Sequence, residues 1–235
     1  MLIRIDEIRS LAQQYNDRKY FEEDPLIFPR RFAQGLQGGR SCLQDGEIAA
    51  ILAAHLAWGR RAMIVRDCGR LFDEMDWRPY DYVMKGDWKN DPTSLHRTIK
   101  WSEIAGICSR LRDLYQATDS LENLSVEQWR CDVLGSRKDP SAPNKKINLM
   151  RRWMVRRDCK VDLGVWKNSD PADLIIPLDV HVHRQSVEMG ITSRKPGDLK
   201  TALEITSVLG EIFPGDPCLG DFALFGYGVT HPTAR

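Results

Sequence analysis

A lysine at the start of a predicted helix is the first candidate for chemistry. Segment 145–157 has an apolar face of Ile147, Met150 and Met154. Its polar stripe, spaced three, four and four, consists of Lys145, Asn148, Arg152 and Arg156. A neutral lysine amine is a nucleophile that forms Schiff bases. A phosphate-binding or merely solvated lysine fits the same position, and this feature alone favours that simpler interpretation.

An aspartate at the start of another predicted helix is the second candidate. Residues 175–178 read Ile-Ile-Pro-Leu, and Asp179 follows them directly. One interpretation is a carboxylate held at the floor of a cleft. The other is an ordinary helix cap, because aspartate is a preferred N-cap residue and Pro177 stops the preceding segment.

Metal binding is the chemistry that the spacing argues against. Asp179, His181 and His183 would chelate together only in an extended segment, since side chains two apart diverge on a helix. The six cysteines stand at 42, 68, 108, 131, 159 and 218, and no pair has C-x-x-C spacing. We therefore expect no metal, no iron–sulfur cluster and no other cofactor.

Basic residues are concentrated around the candidate lysine. Residues 137–160 contain nine basic and two acidic side chains, on a chain with a formal net charge of +1. Such a local positive field suits a polyanion such as nucleic acid. A solvated helix face is the simpler explanation of a charge cluster taken alone.

The elements that must position these residues are helices. Helical spacing and capping signals predict them over 6–20, 46–58, 62–75, 145–157, 180–189, 198–213 and 221–227, with another around Ile104–Leu114. Asp45 is the predicted N-cap of the second. Residues 76–95 are predicted to be a connection and 135–144 a loop. No stretch alternates over six or more residues, so the sequence predicts an all-α fold.

Length and composition fit one large domain or two lobes that share a core. Hydrophobic residues make up 42% of the 235, enough for a sizeable core. No segment reaches the apolar length that a bilayer span requires, and the first residues lack the apolar stretch of a signal peptide. We expect a cytoplasmic protein with no membrane contact.

Three motifs resemble those of the helix-hairpin-helix DNA glycosylase superfamily. Pro177–Arg184 resembles its aspartate motif, in which the catalytic aspartate begins a helix. Lys145–Asn148 resembles its catalytic lysine helix. Asp221–Gly226 resembles the late helix of the 8-oxoguanine branch, where a polar residue and an aromatic residue face the extruded base.

A longer stretch is similar to a bacterial family of unassigned function within this superfamily. It covers Lys145–Arg156 and then Val161–Trp166, and the similarity extends from Asp24 to Gly228. Among characterised proteins, this family resembles the archaeal 8-oxoguanine glycosylases. The Lys145–Asp179 interval is long for a glycosylase, as it is in that archaeal branch.

The resemblance implies a single glycosylase-like unit over 1–235, with two helical lobes flanking a cleft. One lobe is 30–134, and the other is 1–29 with 135–235, which carries Lys145 and Asp179. The hairpin is atypical, because loop 135–144 stands where the superfamily has an apolar-Pro-Gly-Val-Gly turn that offers backbone N–H groups to DNA phosphate. The four-cysteine cluster of the endonuclease III branch is absent.

The implied function is base-excision repair by a DNA glycosylase with AP-lyase activity, in the cytoplasm and associated with the nucleoid. The partner would be damaged duplex DNA with an extruded base, an oxidised purine such as 8-oxoguanine. Lys145 would attack C1′ and Asp179 would stabilise positive charge on the sugar. Phe225 would stack on the base and Asp221 would hydrogen-bond its edge. The DNA contacts would come from Lys146, Arg152, Arg156 and Arg60.

Two other functions stay open at this point. The first is a non-catalytic nucleic-acid-binding protein that retains the glycosylase fold, which the basic segment alone would satisfy. The second is a Schiff-base enzyme acting on a small carbonyl compound. The sequence indicates no obligate protein partner. Covalent trapping on DNA separates the glycosylase from the first alternative, and salt-dependent DNA binding separates both from the second.

Overall fold

Helices dominate the structure, a computed structural model that describes residues 4–157 and 160–231. Helix accounts for 59% and strand for 2%, which confirms the all-α prediction. None of the described helices combines the length and apolar character needed to cross a membrane. Asp158 and Cys159, which belong to the basic segment, lie outside the described residues.

The described α-helices are α1 (Ile5–Tyr15), α2 (Ile27–Leu36), α3 (Leu43–Leu56), α4 (Arg61–Glu74), α5 (Pro79–Lys85), α6 (Trp101–Tyr115), α7 (Val126–Gln128), α8 (Lys145–Val155), α9 (Val180–Glu188), α10 (Leu199–Ile212) and α11 (Gly220–Thr230). A π-helical turn, Trp129–Val133, continues α7, and 3-10 turns cover Arg18–Phe21, Pro171–Asp173 and Pro217–Leu219. Strands β1 (Ser94–His96) and β2 (Ile99–Lys100) pair antiparallel. Residues 134–144 form no helix or strand, which agrees with the predicted loop.

Helix α3 begins three residues earlier than the sequence pattern predicts, so the prediction of Asp45 as its N-cap is wrong. The N-cap residue is Cys42, whose backbone N–H donates to Asp45 Oδ2 at 3.0 Å. Asp45 occupies the third helical position and accepts a second hydrogen bond from the Tyr80 backbone N–H, also at 3.0 Å. A carboxylate at that position satisfies the N-cap amide from inside the helix, which explains why an acidic residue marks this helix end.

The predicted connection 76–95 also needs correction, because it contains α5. Pro79 opens that helix, where a missing N–H costs nothing, and Gly86 ends it at φ 83° in the left-handed region. The proline and the glycine therefore bound a helix of seven residues rather than an irregular segment.

The chain divides into two compact units. One combines the N-terminal residues up to Tyr20 with the residues from Asp139 onward, and the other is Phe21–Lys138. In the latter, α3 is buried over Gly46–Leu56, including the carboxylate of Glu47. Glu47 accepts hydrogen bonds from the Tyr115 hydroxyl at 2.9 Å and the Ser120 hydroxyl at 2.6 Å, so its charge is satisfied inside the core.

The unit that contains Lys145 is built around α11. Helix α1 packs along α11, and Gly226 allows the close approach because a side-chain carbon there would overlap the ring of Tyr15. The segment after α8 folds back onto its last turn, where Leu163 N–H donates to Trp153 O at 2.8 Å and Trp166 N–H donates to Met154 O at 3.0 Å. These contacts fix the C-terminal end of the lysine helix.

Candidate active site

Lys145 is the first residue of α8, and two asparagines, Asn144 before it and Asn148 after it, fix the start of the helix. Asn144, the N-cap residue, has φ 48° and ψ 42°, a left-handed conformation that asparagine tolerates better than most residues. The buried Asn148 side chain donates to Pro143 O at 3.0 Å, and its backbone N–H donates to Asn144 O at 3.0 Å. The helix start is thus tied to the preceding loop, which sets the origin of the lysine side chain.

Asp179 is held by backbone hydrogen bonds at the start of α9. It is the N-cap residue, and its Oδ1 accepts from the backbone N–H groups of His181 and Val182, both at 2.9 Å. The apolar run before it is buried: Ile176 is fully enclosed and its N–H donates to Thr206 Oγ1 at 3.1 Å. Both sequence interpretations of this residue are therefore compatible, since a capping carboxylate has a second oxygen left for chemistry.

The side chains of the two candidate residues, Lys145 and Asp179, form an ion pair. Lys145 Nζ lies 3.3 Å from Asp179 Oδ2, and each side chain is 28% exposed. One oxygen of the carboxylate caps α9 while the other faces the amine. The pair is partly open to solvent, and each residue is positioned by the start of a helix.

Asp221 and Phe225 lie one turn apart on α11, in the same unit as the pair. Asp221 is 8% exposed and pairs with the Arg152 guanidinium. Burial raises the pKa of the Asp221 carboxyl, Arg152 opposes that shift, and the nearby charge of Asp179 adds to it. Asp179 and Asp221 are therefore close enough for their charges to influence each other.

Phe225 is half-buried and belongs to an aromatic cluster. Its ring centroid lies 5.8 Å from that of Tyr15, at an interplanar angle of 79°, and 6.4 Å from that of Tyr20, at 64°. Tyr15 is buried, whereas Tyr20 is half-buried like Phe225. The cluster presents two partly exposed rings, a surface on which a flat base can stack.

Arg152 and Arg156 are buried, so the prediction that they contact DNA phosphate is wrong. They are 4% and 1% exposed. Arg152 pairs with Asp221 and, through Nε at 3.3 Å, with Asp162 Oδ1. Helical spacing puts both arginines in one stripe with Lys145, but that stripe turns into the protein two turns after the lysine.

Five charged side chains form a continuous series of ion pairs, called here the charge chain: Asp221–Arg152–Asp162–Arg156–Asp216. Arg156 Nη1 donates to Asp162 Oδ2 at 2.6 Å. Its Nε and Nη2 donate to the two oxygens of Asp216, both at 2.8 Å, which is a bidentate geometry. The ring of Phe222 lies 5.0 Å from the guanidinium carbons of both arginines. Both guanidiniums are thus fixed from several directions.

The other predicted DNA contacts are at the surface or near it. Lys146 is half-buried and follows Lys145 on α8. Arg60 is exposed and is the N-cap residue of α4, in the unit Phe21–Lys138. Both positions leave room for a phosphate contact, and that assignment stays a prediction.

No metal site is built from the described residues: no three His, Cys, Asp or Glu side chains among them are arranged to hold an ion. His183 Nε2 lies 2.8 Å from Arg194 O, so this histidine bonds to the backbone of the α9–α10 connection.

Sequence reasoning missed three members of this region. Asp162 stands in an apolar run between Val161 and Leu163, and a lone carboxylate in such a run signals a buried partner. Asp216 precedes Pro217 and looks like a turn residue. Tyr20 lies in a polar stretch, and the sequence gives no signal that its ring reaches α11.

Comparisons with known proteins give one match. No curated protein and no solved structure matches the chain. A family model matches it over residues 24–138 and 127–230, which is most of its length. The chain therefore belongs to the family described as "Protein of unknown function (DUF2400)".

Proposed function

We propose that the protein is a base-excision DNA glycosylase with AP-lyase activity, of the helix-hairpin-helix kind with an atypical hairpin. Its substrate is duplex DNA containing an oxidised purine such as 8-oxoguanine. The observation that supports this best is the 3.3 Å approach of Lys145 Nζ to Asp179 Oδ2, from two motifs 34 residues apart in the chain.

The proposed reaction begins when the damaged nucleotide leaves the duplex, since a side chain cannot otherwise reach its sugar. Positive charge then develops on the sugar as the C1′–N bond weakens. Asp179 Oδ2 stabilises that charge, while Oδ1 stays on the backbone amides of α9 and keeps the carboxylate in place. Preorganisation of this kind needs no rearrangement at the moment of reaction.

Lys145 supplies the nucleophile. Its ammonium loses a proton, and Nζ then bonds to C1′ while the electron pair of the C1′–N bond leaves with the base, which takes up a proton. The C1′–O4′ bond then breaks, O4′ keeps its electron pair and takes a proton from Nζ, and the opened sugar is left as a protonated imine between Nζ and C1′. Loss of a C2′ proton and departure of the 3′ phosphate then cut the strand, and water releases the enzyme from the imine.

Recognition of the base is assigned to α11. Phe225 stacks on the extruded base, and the ionised Asp221 accepts hydrogen bonds from its N–H groups. Both residues lie in the unit that carries Lys145. Lys146 and Arg60 are the proposed phosphate contacts, and the cytoplasm, in association with the nucleoid, is the proposed location.

Borohydride trapping tests the proposal directly, because it reduces the imine to a stable protein–DNA link. Four duplexes differ at one position: 8-oxoguanine, uracil, a natural abasic site, and undamaged guanine. We expect a trapped complex with 8-oxoguanine and with the abasic site, and none with guanine. Release of the base without trapping would indicate a monofunctional glycosylase. Binding to all four without release or trapping would favour the non-catalytic nucleic-acid-binding alternative.

Two substitutions of Asp179 separate its capping role from its catalytic one. Asparagine caps helices as well as aspartate, so Asp179→Asn should leave stability nearly unchanged, whereas Asp179→Ala should lower it by about 1 kcal/mol. Both variants lack the charge that faces Lys145, and both should lose roughly a hundredfold or more in single-turnover base release. Urea unfolding and gel assays measure the two effects. If base release in Asp179→Asn matched the wild type, the residue would be a helix cap only.

A further inference from the structure

Arg152 occupies a position between the lysine helix and the base-recognition helix. It lies seven residues after Lys145 on α8, which brings it to the same helix face two turns on. Its guanidinium contacts the Asp221 carboxylate on α11. A buried guanidinium destabilises a protein unless it is paired. The ion pair with Asp221 therefore stabilises the fold, positions Asp221, or does both.

The other members of the charge chain hold the Arg152 guanidinium in a fixed position. Asp162, with a fully buried side chain, binds Arg152 and Arg156, and Arg156 is held in turn by Asp216. The Phe222 ring lies against the guanidinium. Arg152 therefore offers Asp221 a cation of fixed position, unlike a flexible surface lysine.

The surroundings of Asp221 would otherwise favour its neutral form. The charged groups that act on it most strongly are Arg152 on α8, Asp162 after α8 and Asp179 at the start of α9, and its own charge acts on the buried thiol of Cys218 just before α11. Burial comes first among the influences that raise its pKa, and the two other aspartates act in the same direction. Among these groups, Arg152 is the cation that favours the carboxylate.

The charge of Asp221 decides what it can recognise. An ionised carboxylate only accepts hydrogen bonds, whereas a protonated one also donates. 8-Oxoguanine presents N–H groups at N1, at N7 and on its exocyclic amine. We propose that Arg152 is a positioning residue that keeps Asp221 ionised and oriented, and that the site thereby selects a base whose edge presents N–H donors. This inference rests on the proposed function, because it takes Asp221 to face the bound base.

Binding measurements in a Lys145→Gln background test it without strand cleavage. The probes are a duplex with one 8-oxoguanine and the same duplex with a tetrahydrofuran abasic site, so that the ratio of the two dissociation constants gives the contribution of the base. In Arg152→Met that ratio should fall about tenfold or more, because a hydrogen bond to a charged group is lost. Arg152→Lys keeps the cation and should retain most of the preference.

The pH dependence distinguishes a charge effect from a packing effect. Without Arg152 the pKa of Asp221 rises further, so the carboxyl stays protonated up to a higher pH than in the wild type and ionises only as the pH increases. The preference of Arg152→Met should therefore be greater at pH 8 than at pH 6, and the added substitution Asp221→Asn should abolish that difference. Glu127→Gln, an exposed carboxylate outside the charge chain, is the control and should keep the preference at both pH values.

Asp221→Asn alone gives the answer if Arg152→Met does not fold. It removes the charge but leaves Arg152 in place, and it should lose the preference at both pH values. An unchanged preference in Arg152→Met or Asp221→Asn would overturn the inference, as would an Arg152→Lys variant that loses as much as Arg152→Met. A Lys145→Gln protein with no preference for 8-oxoguanine at all would instead count against the proposed function.

Discussion

Replacing Lys145 with glutamine should abolish borohydride trapping on lesion-bearing DNA, whereas replacing Lys146 with glutamine should leave it intact. Adjacent residues on a helix point about 100° apart, so only one of the two lysines can face Asp179 well. Lys145 Nζ lies 3.3 Å from Asp179 Oδ2, and Lys146 is half-buried elsewhere on the helix surface. Loss of a nucleophile lowers turnover by roughly a thousandfold or more.

The two lysine variants are a matched pair. Each removes one positive charge at nearly the same place, so their effects on nonspecific DNA binding should be similar. Single-turnover strand cleavage and trapping on 8-oxoguanine and abasic duplexes measure the difference. Loss of trapping in Lys146→Gln alone would mean that the nucleophile is Lys146.

Replacing Asp162 with alanine should give the largest loss of stability. Its side chain is fully buried and binds both Arg152 and Arg156, so its removal leaves two buried guanidiniums with one partner fewer each. Breaking a buried ion pair from one side costs about 3–5 kcal/mol. Urea unfolding followed by tryptophan fluorescence is the measurement, since Trp153 and Trp166 are buried beside this segment.

A surface ion pair provides the control for Asp162→Ala. Lys138 Nζ lies 2.8 Å from Glu127 Oε1, but both side chains are more than half exposed. Glu127→Ala also removes a paired carboxylate, and we expect no measurable change in the unfolding midpoint because solvent screens this pair. Equal destabilisation by Glu127→Ala and Asp162→Ala would show that burial is not the reason why the Asp162 ion pairs stabilise the fold.

The sequence predicts the two halves of the candidate site because each has a local signal. Asp179 ends an apolar run and caps a helix, and Lys145 begins a helix after a loop rich in proline. Their meeting is a tertiary fact that periodicity cannot supply. The resemblance to a superfamily in which such residues act together made the pairing an expectation, and the structure brings the two side chains to 3.3 Å.

The fate of Arg152 and Arg156 shows where local reasoning ends. Spacing of three and four residues places them in a stripe with Lys145, and a polar stripe normally faces water. Their partners Asp221 and Asp216 lie 69 and 60 residues further along the chain, so a local window contains only the Asp162 part of the pairing that buries them. The helix positions were predictable, whereas the direction that the stripe faces was not.

Asp45 and α5 illustrate a smaller limit of sequence-based prediction, which concerns where helices begin and end. A single acidic residue before an apolar run is equally typical of an N-cap and of the third helical position, which differ by three residues in where the helix starts. In α5 the flanking proline and glycine look like turn signals although they bound a short helix. Both errors concern helix boundaries, and the all-α class does not depend on them.

The burial of two arginines also changes how the protein should respond to ionic strength. A cation that is neutralised inside the fold displaces no condensed counterions from DNA, and each lost phosphate contact reduces the slope of log affinity against log salt by about 0.9. Arg152 and Arg156 are held by Asp221, Asp162 and Asp216 rather than by solvent. The slope of log affinity against log salt should thus be less steep than the basic character of residues 137–160 suggests. The difference should correspond to nearly two phosphate contacts.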